Sequence, residues 1–377
     1  MKIAIIHPTF SLGGAGAVAV WILEALKHDY DLTLITTEDV NFPELNAFFG
    51  TDLKPTEVEV VKVLLHLGHW FNGFLVKIAV AERYYQAHRK EFDLAIATRC
   101  EMDLGEPDIQ YIHCPIWNDQ MLRRVGQLPP GWQYRKGLPR WTYRRIAKWI
   151  GRYQEERMKR NITLVNSNWM GKQVKETYNI DTLTVYPPVN DDFLEIPWDE
   201  CEEGFVCMGT VSPGKHVEDM ILIIEKVRQE GFPVHFHIIG SCSDPVYAKK
   251  IKRLCEENHE WLFWEGRLSR KQLTYLVAKH KYGIHGMPNE HFGIAVAEMV
   301  KAGCVPFVPN SGGQVEIVQD RRLIYEDTED AVYKIINILN NEVIQKDIRK
   351  NLLKRSAQFS TKVFMESIRT IVEQAFA

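Results

Sequence analysis

Residues 281–318 read KYGIHGMPNEHFGIAVAEMVKAGCVPFVPNSGGQVEIV, and this stretch combines two glutamates with glycine turns and two predicted helix starts. Its apolar positions suit a helix from about Phe292. On such a helix Glu290 and Glu298 would lie on similar sides, with Cα atoms about 12 Å apart. That spacing predicts two carboxylates that serve opposite ends of one elongated ligand.

Glycines precede both helix starts in this stretch. Gly293 and the pair Gly312 and Gly313 each stand where a loop enters a predicted helix. Free backbone amides and the positive end of the helix favour an anion at such a place. Carboxylates beside anion-binding amides predict a site for a sugar nucleotide, which has hydroxyl groups at both ends and a diphosphate between them.

The run EHFGIAVAE from Glu290 to Glu298, followed by Ala302-Gly303 and by NSGG at 310–313, carries a family resemblance. It resembles the E-x7-E signature of retaining glycosyltransferases of the GT-B type, family 4. The sequence NEHFGI at residues 289–294 is similar to the corresponding motif of the α-1,2-mannosyltransferases that act on dolichol-linked oligosaccharides. The resemblance implies an α/β protein with two Rossmann-like, doubly wound domains facing across a cleft. An ordinary amphipathic helix with solvated acids is the alternative.

Length and composition agree with two domains in a reducing compartment. The 377 residues suit two domains with sizeable cores, and the resemblance implies bounds of 1–188 with a returning helix 361–377, and 189–360. The seven cysteines form no C-x-x-C pair, so neither a zinc site nor a disulfide framework is expected. No signal peptide or continuous apolar run of about 20 residues is recognisable, so we expect a cytoplasmic protein that is either soluble or peripheral on the membrane.

Strand-like runs alternate with helical patterns in the first half, which predicts a parallel sheet. Residues 14–19, GAGAVA, match a dinucleotide-binding pattern, and Glu38 lies near the spacing of a ribose partner. That reading is disfavoured because about seven residues separate the strand end at Ile6 from the glycines. The resemblance implies instead that Gly13 and Gly14 face the donor phosphates or the acceptor. A plain surface turn is the alternative.

His113 follows a strand-like run in the sequence YIHCP. Ligands of open α/β sheets bind beyond the carboxyl ends of the strands, where this histidine falls. The resemblance places it near the reacting sugar, and a structural histidine is the alternative.

Residues 121–160 hold twelve basic residues against Glu155 and Glu156, interleaved with tryptophan and tyrosine. Arginine and tryptophan together suit an anionic membrane surface or a lipid pyrophosphate, and the apolar segment 64–80 is a second candidate for lipid contact. A solvated helix-loop-helix with inward aromatics is the alternative, and no nucleic-acid-binding module accompanies the patch. The predicted acceptor or membrane contacts are Arg123, Arg124, Trp132, Arg135, Arg140, Trp141 and Arg144.

Lys215 stands at a predicted helix start after the loop TVSPG, where its charge and the helix dipole both favour a diphosphate. The family normally adds an arginine a few residues earlier, but Thr210 and Ser212 occupy the candidate positions here. The resemblance implies donor contacts at Gly13, Gly14, Thr210, Lys215, Gly240, Arg267, Glu290, Phe292, Gly293, Ile294, Glu298, Gly312 and Gly313.

The predicted activity is retaining transfer of a hexose from a GDP- or UDP-sugar to a lipid-linked or other glycan acceptor. The resemblance implies that Glu290, His113 and Lys215 serve catalysis and that Glu298 binds the ribose hydroxyls. No D-x-D motif stands at the end of a predicted strand, and we expect neither a metal nor a cofactor besides the nucleotide sugar. A weakly active or non-catalytic nucleotide-sugar-binding scaffold and a sugar-nucleotide epimerase are the alternatives.

Overall fold

The computed structural model describes residues 1–63, 73–126 and 138–377. The chain divides into two compact units, Met1–Pro188 together with Thr361–Ala377, and Val189–Ser360. Each unit is built on one parallel sheet with helices between the strands.

The first unit contains a seven-stranded sheet in the order β3-β2-β1-β4-β5-β6-β7 within the described residues. Its strands are β1 (Lys2–Ile6), β2 (Asp31–Thr36), β3 (Val58–Lys62), β4 (Leu94–Ala97), β5 (Ile109–Ile112), β6 (Ile162–Val165) and β7 (Leu183–Thr184). The strand order reverses between β1 and β4, which pair in parallel. Loops at the carboxyl ends of these two strands therefore border a crevice of the kind that binds ligands in open α/β sheets.

Apolar β-branched and leucine-rich runs explain why the central strands form. Ile3 to Ile6 have no exposed surface, because helices cover both faces of the sheet. The helices of this unit are α1 (Gly14–Leu26), α2 (Phe42–Phe49), α3 (Phe74–His88), α4 (Asp119–Arg124), α5 (Leu138–Gly151), α6 (Glu155–Met158), α7 (Asn168–Tyr178) and α15 (Thr361–Phe376). Helix α15 contributes Phe364, Ile368 and Val372 to the same core as α1, and the Arg369 guanidinium donates to the Ala25 carbonyl at 2.8 Å.

The second unit contains a six-stranded sheet in the order β10-β9-β8-β11-β12-β13. Its strands are β8 (Glu202–Met208), β9 (His235–Ile239), β10 (Leu262–Gly266), β11 (His280–Ile284), β12 (Val305–Pro309) and β13 (Ile324–Tyr325). Its helices are α8 (Val217–Gln229), α9 (Pro245–Glu257), α10 (Arg270–Ala278), α11 (Ile294–Lys301), α12 (Gln314–Val318), α13 (Thr328–Leu339) and α14 (Glu342–Ser356). The order reverses between β8 and β11, so the loops that follow these two strands border the corresponding crevice of this unit.

The predicted strands at 2–6, 31–36, 162–165 and 262–266 coincide with β1, β2, β6 and β10. Helix α1 begins three residues before the predicted start at Ala17, because Gly13 and Gly14 already lead into the helix. Within the parts of the chain that the structure describes, no helix has both the length and the apolar character needed to cross a bilayer.

Candidate functional site

Three candidate functional side chains converge beyond the carboxyl ends of β8 and β11. Lys215 ends a short 3₁₀ turn after β8, and His285 directly follows β11. The Lys215 Nζ lies 2.5 Å from the Glu290 Oε2, and the His285 Nε2 lies 3.4 Å from the same oxygen. The strand order of the second unit therefore brings a lysine, a histidine and a carboxylate together where its sheet reverses direction.

The electrostatics of this cluster keep Glu290 ionised. Burial acts to raise the pKa of Glu290, but the Lys215 ammonium and the His285 ring hold it well below its usual range. Burial also lowers the pKa of His285, so this ring is neutral near pH 7. The side chains of Lys215 and Glu290 remain 29% and 18% exposed, so a ligand can reach both groups.

Glycines in the loop before α12 pack directly on the Glu290 backbone. Gly312 has φ +80°, and an added Cβ would lie 2.3 Å from the Glu290 carbonyl oxygen. The Gly313 amide donates to that oxygen at 2.8 Å. Both the left-handed conformation and the close approach require glycine at position 312, and the two loops hold Glu290 in place.

Glu290 does not lie on a helix, and the predicted helix start at Phe292 is wrong. Asn289 and Gly293 have positive φ angles of 54° and 102°, which are incompatible with a right-handed helix, so α11 begins at Ile294. Only Glu298 of the two glutamates is helical, and the 12 Å helical spacing does not apply. The loop instead directs Glu290 towards Lys215.

Glu298 is paired with an arginine that the sequence analysis did not identify. Arg270, the first residue of α10, lies 2.5 Å from the Glu298 Oε1 and binds both carboxylate oxygens of Asp192 at 2.6 and 2.8 Å. Burial raises the pKa of Glu298, and the Arg270 charge opposes that shift. The carboxylate is thus fixed by a salt bridge, with 17% of its side chain exposed.

The remaining predicted donor contacts of this unit lie at the same carboxyl edge. Thr210 and Lys215 line a small pocket after β8, together with His285. Gly240 follows β9 with φ +149°, and an added Cβ would lie 1.7 Å from the Gly209 carbonyl oxygen. The exposed Arg267 follows β10.

Phe292 anchors the loop that leads into α11. Its ring is 2% exposed and meets Phe359 edge-on at 5.4 Å. No side chain of the described residues caps α11 at Gly293, and the same holds for α12 at Gly313. Both helices thus begin beside Glu290, and no capping side chain there competes with an anion for the backbone amides.

In the first unit, His7 and His113 lie near Arg99, close to the point where the strand order reverses. His7 follows β1, is fully buried, and contacts the Thr98 Oγ1 with its Nδ1 at 2.8 Å. Burial, Arg99 and His113 all lower the pKa of His7. His113 follows β5, and its amide donates to the Arg99 carbonyl at 3.0 Å. The sequence patterns did not identify His7 as a site residue, although its position at the carboxyl end of β1 favours a place near a ligand.

The glycine loop of the first unit is held by a carboxylate. Glu38 accepts from the Phe10 amide at 3.1 Å and pairs with Lys77 at 2.7 Å, so this side chain braces the loop. Gly13 caps α1, and Gly14 is the first residue of that helix. An added Cβ at Gly13 would meet only the Ser11 Oγ, at 3.9 Å, so the described packing leaves space above this glycine.

The basic aromatic region is partly neutralised and partly exposed. Arg124 pairs with Glu176 at 2.9 Å, and Arg144 pairs with Asp119 at 2.7 Å, whereas Arg123 is exposed on α4. Arg157 pairs with Asp103 at 2.7 Å as well, so acids outside the patch supply three partners and make it less basic than its own composition suggests.

Its aromatic side chains divide between core and solvent. Tyr143 is buried, whereas Trp141 and Trp149 on α5 are 49% and 80% exposed, with Arg145 stacked over Trp141 at 4.6 Å. The predictions at Trp132, Arg135 and the start of the segment 64–80 lie outside the described residues, as does the side chain of Arg140.

Comparison with known proteins relates the second unit to one family. Residues 188–355 match the family model described as "Glycosyl transferases group 1". The chain is 27% identical over 240 residues to GDP-Man:Man(3)GlcNAc(2)-PP-Dol alpha-1,2-mannosyltransferase from Homo sapiens, covering 57% of this chain and 49% of that protein. It is 22% identical to the protein of the same name from Caenorhabditis elegans, covering 99% of this chain and 88% of that protein. The matched region therefore spans about half the length of the human relative.

Solved structures show the fold. Anabaena HepE, crystallised with UDP and glucose, has a TM-score of 0.70 at 14% identity, covering 99% of this chain and all of that one. WaaG, a glycosyltransferase of lipopolysaccharide biosynthesis, has a TM-score of 0.68 at 14% identity, covering 98% of this chain and 99% of that one. The predicted GT-B fold is confirmed.

Proposed function

We propose that the chain is a glycosyltransferase that transfers a hexose with retention from a nucleotide diphosphate sugar to a lipid-linked glycan, and the match of residues 188–355 to the group 1 family model supports this proposal. The observation that carries the proposal is the convergence of Lys215, His285 and Glu290 beyond β8 and β11. This edge combines one cation, one ionised carboxylate and two helix starts, and these groups together suit the phosphates and the hydroxyls of a sugar diphosphate.

The named relatives favour GDP-mannose as the first donor to test, and UDP-glucose follows from the ligands of Anabaena HepE. In either case the diphosphate binds at Lys215 and the amino ends of α11 and α12, where positive charge is concentrated. Glu298, held by Arg270, binds the ribose hydroxyls. Gly13, with open space above it, and His113 stay predicted substrate contacts of the first unit.

Transfer breaks the bond between the anomeric carbon and a diphosphate oxygen and forms a bond to an acceptor hydroxyl oxygen. The acceptor proton leaves with the diphosphate. Because the Lys215 ammonium faces Glu290 before donor arrives, diphosphate binding draws the lysine away and exposes the carboxylate to sugar hydroxyls. The negative charge on the departing diphosphate is thus stabilised by Lys215 and by the backbone amides at the amino ends of α11 and α12, and the chemistry requires no metal.

For the acceptor we propose a lipid-linked glycan, delivered at a cytoplasmic membrane surface by the exposed face of α5. Trp149, Trp141 and Arg145 present apolar area and positive charge on one short helix. Such a combination suits the interface of an anionic bilayer, where aromatic rings lie at headgroup depth. The mannosyltransferase relatives act on a dolichol-linked glycan, as their names state, which supports this class of acceptor.

Replacing Lys215 tests the donor site. Lys215→Ala should weaken binding of GDP-mannose or UDP-glucose at least tenfold by isothermal titration calorimetry and should abolish transfer, because the diphosphate loses its lysine contact. Lys252→Ala is the matched control, since Lys252 is a largely exposed lysine of the same unit, on α9. Unchanged donor binding and turnover in Lys215→Ala would refute the assignment.

A non-catalytic nucleotide-sugar-binding scaffold is the second candidate. It is favoured by Thr210 and Ser212, which stand where the family normally has an arginine, so Lys215 lacks the usual second cation. Tight donor binding without transfer to any acceptor would establish this candidate, whereas turnover would exclude it.

A further inference from the structure

The second unit contains a cluster of three histidines at the edge of its sheet opposite the candidate active site. His235 is the first residue of β9, His237 lies two positions later on the same face, and His280 is the first residue of β11. One ring nitrogen of each histidine lies within 4.8 Å of the others, and no other His, Cys, Asp or Glu group of this kind is found among the described residues. We propose that this cluster binds a zinc ion, with Glu202 as the fourth ligand.

Hydrogen bonds direct two of the imidazoles towards the centre of the cluster. The His280 Nδ1 lies 2.6 Å from the Leu276 carbonyl oxygen, which can only accept, so that nitrogen carries the proton and the Nε2 carries the lone pair. The His237 Nδ1 lies 2.7 Å from the Glu265 carboxylate, which fixes the same tautomer. Carbonyl and carboxylate partners of this type orient histidine ligands in metal sites.

His235 completes a nearly correct nitrogen geometry. Its Nε2 lies 3.0 Å from the His280 Nε2, close to the separation of about 3.3 Å that two nitrogens adopt around tetrahedral zinc. Gly204 of β8 makes this approach feasible, since an added Cβ would lie 2.3 Å from the His235 Nε2. A metal would replace the proton that the two nitrogens share.

Glu202, the first residue of β8, offers the remaining ligand. One of its carboxylate oxygens lies 3.4 Å from the His235 Nε2 and 3.6 Å from the His280 Nε2. Lys279 binds the other carboxylate oxygen at 2.6 Å, which leaves the first directed at the histidines. Three imidazoles and a carboxylate suit zinc rather than calcium or magnesium, which prefer oxygen ligands.

The location indicates a structural role. The ligands come from the amino ends of β8, β9 and β11, whereas Lys215, His285 and Glu290 follow the carboxyl ends. An ion at the amino edge joins strands that are distant in sequence and takes no part in sugar transfer. The inference is therefore independent of the proposed function.

Zinc titration of the full chain, in a non-thiol reductant that keeps the cysteines reduced, tests the site. We expect one Zn²⁺ per chain with micromolar or tighter affinity and a raised unfolding temperature, with no effect of Mg²⁺ or Ca²⁺. His237→Gln and His235→Asn should each weaken zinc binding at least tenfold, and His259→Gln, at an exposed histidine on the same unit, should not.

Cobalt substitution provides a second readout that needs no variant. Co²⁺ bound at this site should give the visible bands of tetrahedral nitrogen and oxygen ligation without thiolate charge transfer. The inference is overturned if wild-type chain binds no Zn²⁺, if the His235 and His237 variants bind it unchanged, or if Co²⁺ shows cysteine ligation.

Discussion

Replacing Arg270 should destabilise the second unit more than an ordinary surface substitution. In Arg270→Gln the Glu298 carboxylate loses a partner at 2.5 Å while remaining largely buried, with 17% of its side chain exposed. Breaking a well-buried ion pair costs about 3–5 kcal/mol, and the residual exposure of this pair reduces our expectation to about 2–4 kcal/mol. At about 2–4 °C per kcal/mol for a unit of this size, unfolding should occur about 4–16 °C lower.

The assay is thermal unfolding monitored by circular dichroism, combined with a double-mutant cycle. In Arg270→Gln/Glu298→Gln the buried charge is gone as well, so the double variant should be at least about 1 kcal/mol more stable than additivity predicts. Asp192→Asn is the control, because Asp192 is 45% exposed and its loss should cost about 0–1 kcal/mol. Strictly additive single effects, or a decrease below 2 °C in Arg270→Gln, would refute the reasoning.

Three further predictions concern the site loops and the exposed face of α5. Gly312→Ala should cost about 2–3 kcal/mol in chemical denaturation, because its Cβ would overlap the Glu290 backbone at a positive φ, whereas Gly214→Ala, with open space, should cost under about 1 kcal/mol. Because the pKa of Glu290 is lowered in the folded protein, its ion pair contributes stability above pH 4.5 that is lost as pH falls through the lower folded value. The difference in unfolding temperature between wild type and Glu290→Gln should therefore shrink below pH 4.5, and a difference that stays constant down to pH 3 would contradict the pairing. Trp149→Ser should reduce co-sedimentation with anionic liposomes severalfold, while Tyr333→Ser, an exposed aromatic on the other unit, should not; equal losses would argue against the α5 surface.

Local patterns were sufficient to predict much of the fold. Runs such as KIAII at Lys2–Ile6 predict buried parallel strands because both faces of the sheet are covered, and the structure agrees there. The helix start at Phe292 failed because apolar periodicity continues into the loop, while the positive φ of Gly293 is not visible in that periodicity. Gly293 is a residue type that is common in turns and at helix ends, and it is the only local evidence against a helix that begins at Phe292.

Candidate functional residues that come together through the strand order could not be predicted. Arg270 precedes Glu298 by 28 positions and meets it only because α10 and α11 flank β11 in the folded unit. His235 and His280 likewise converge only because β8 lies between β9 and β11 with a glycine at the crossing. Lys215 and Glu290, in contrast, were identified from their motifs, and the structure adds their direct contact.

The most direct test of the account is glycosyl transfer by the purified full chain in the presence of EDTA. GDP-mannose and UDP-glucose are supplied in turn with a polyprenyl-pyrophosphate-linked glycan, and the product is isolated and its anomeric configuration determined by NMR. We predict transfer from one of these donors with retained configuration and no need for added metal, and loss of transfer in Lys215→Ala. Absence of transfer from both donors, an inverted product, or a strict requirement for a divalent cation would contradict the account.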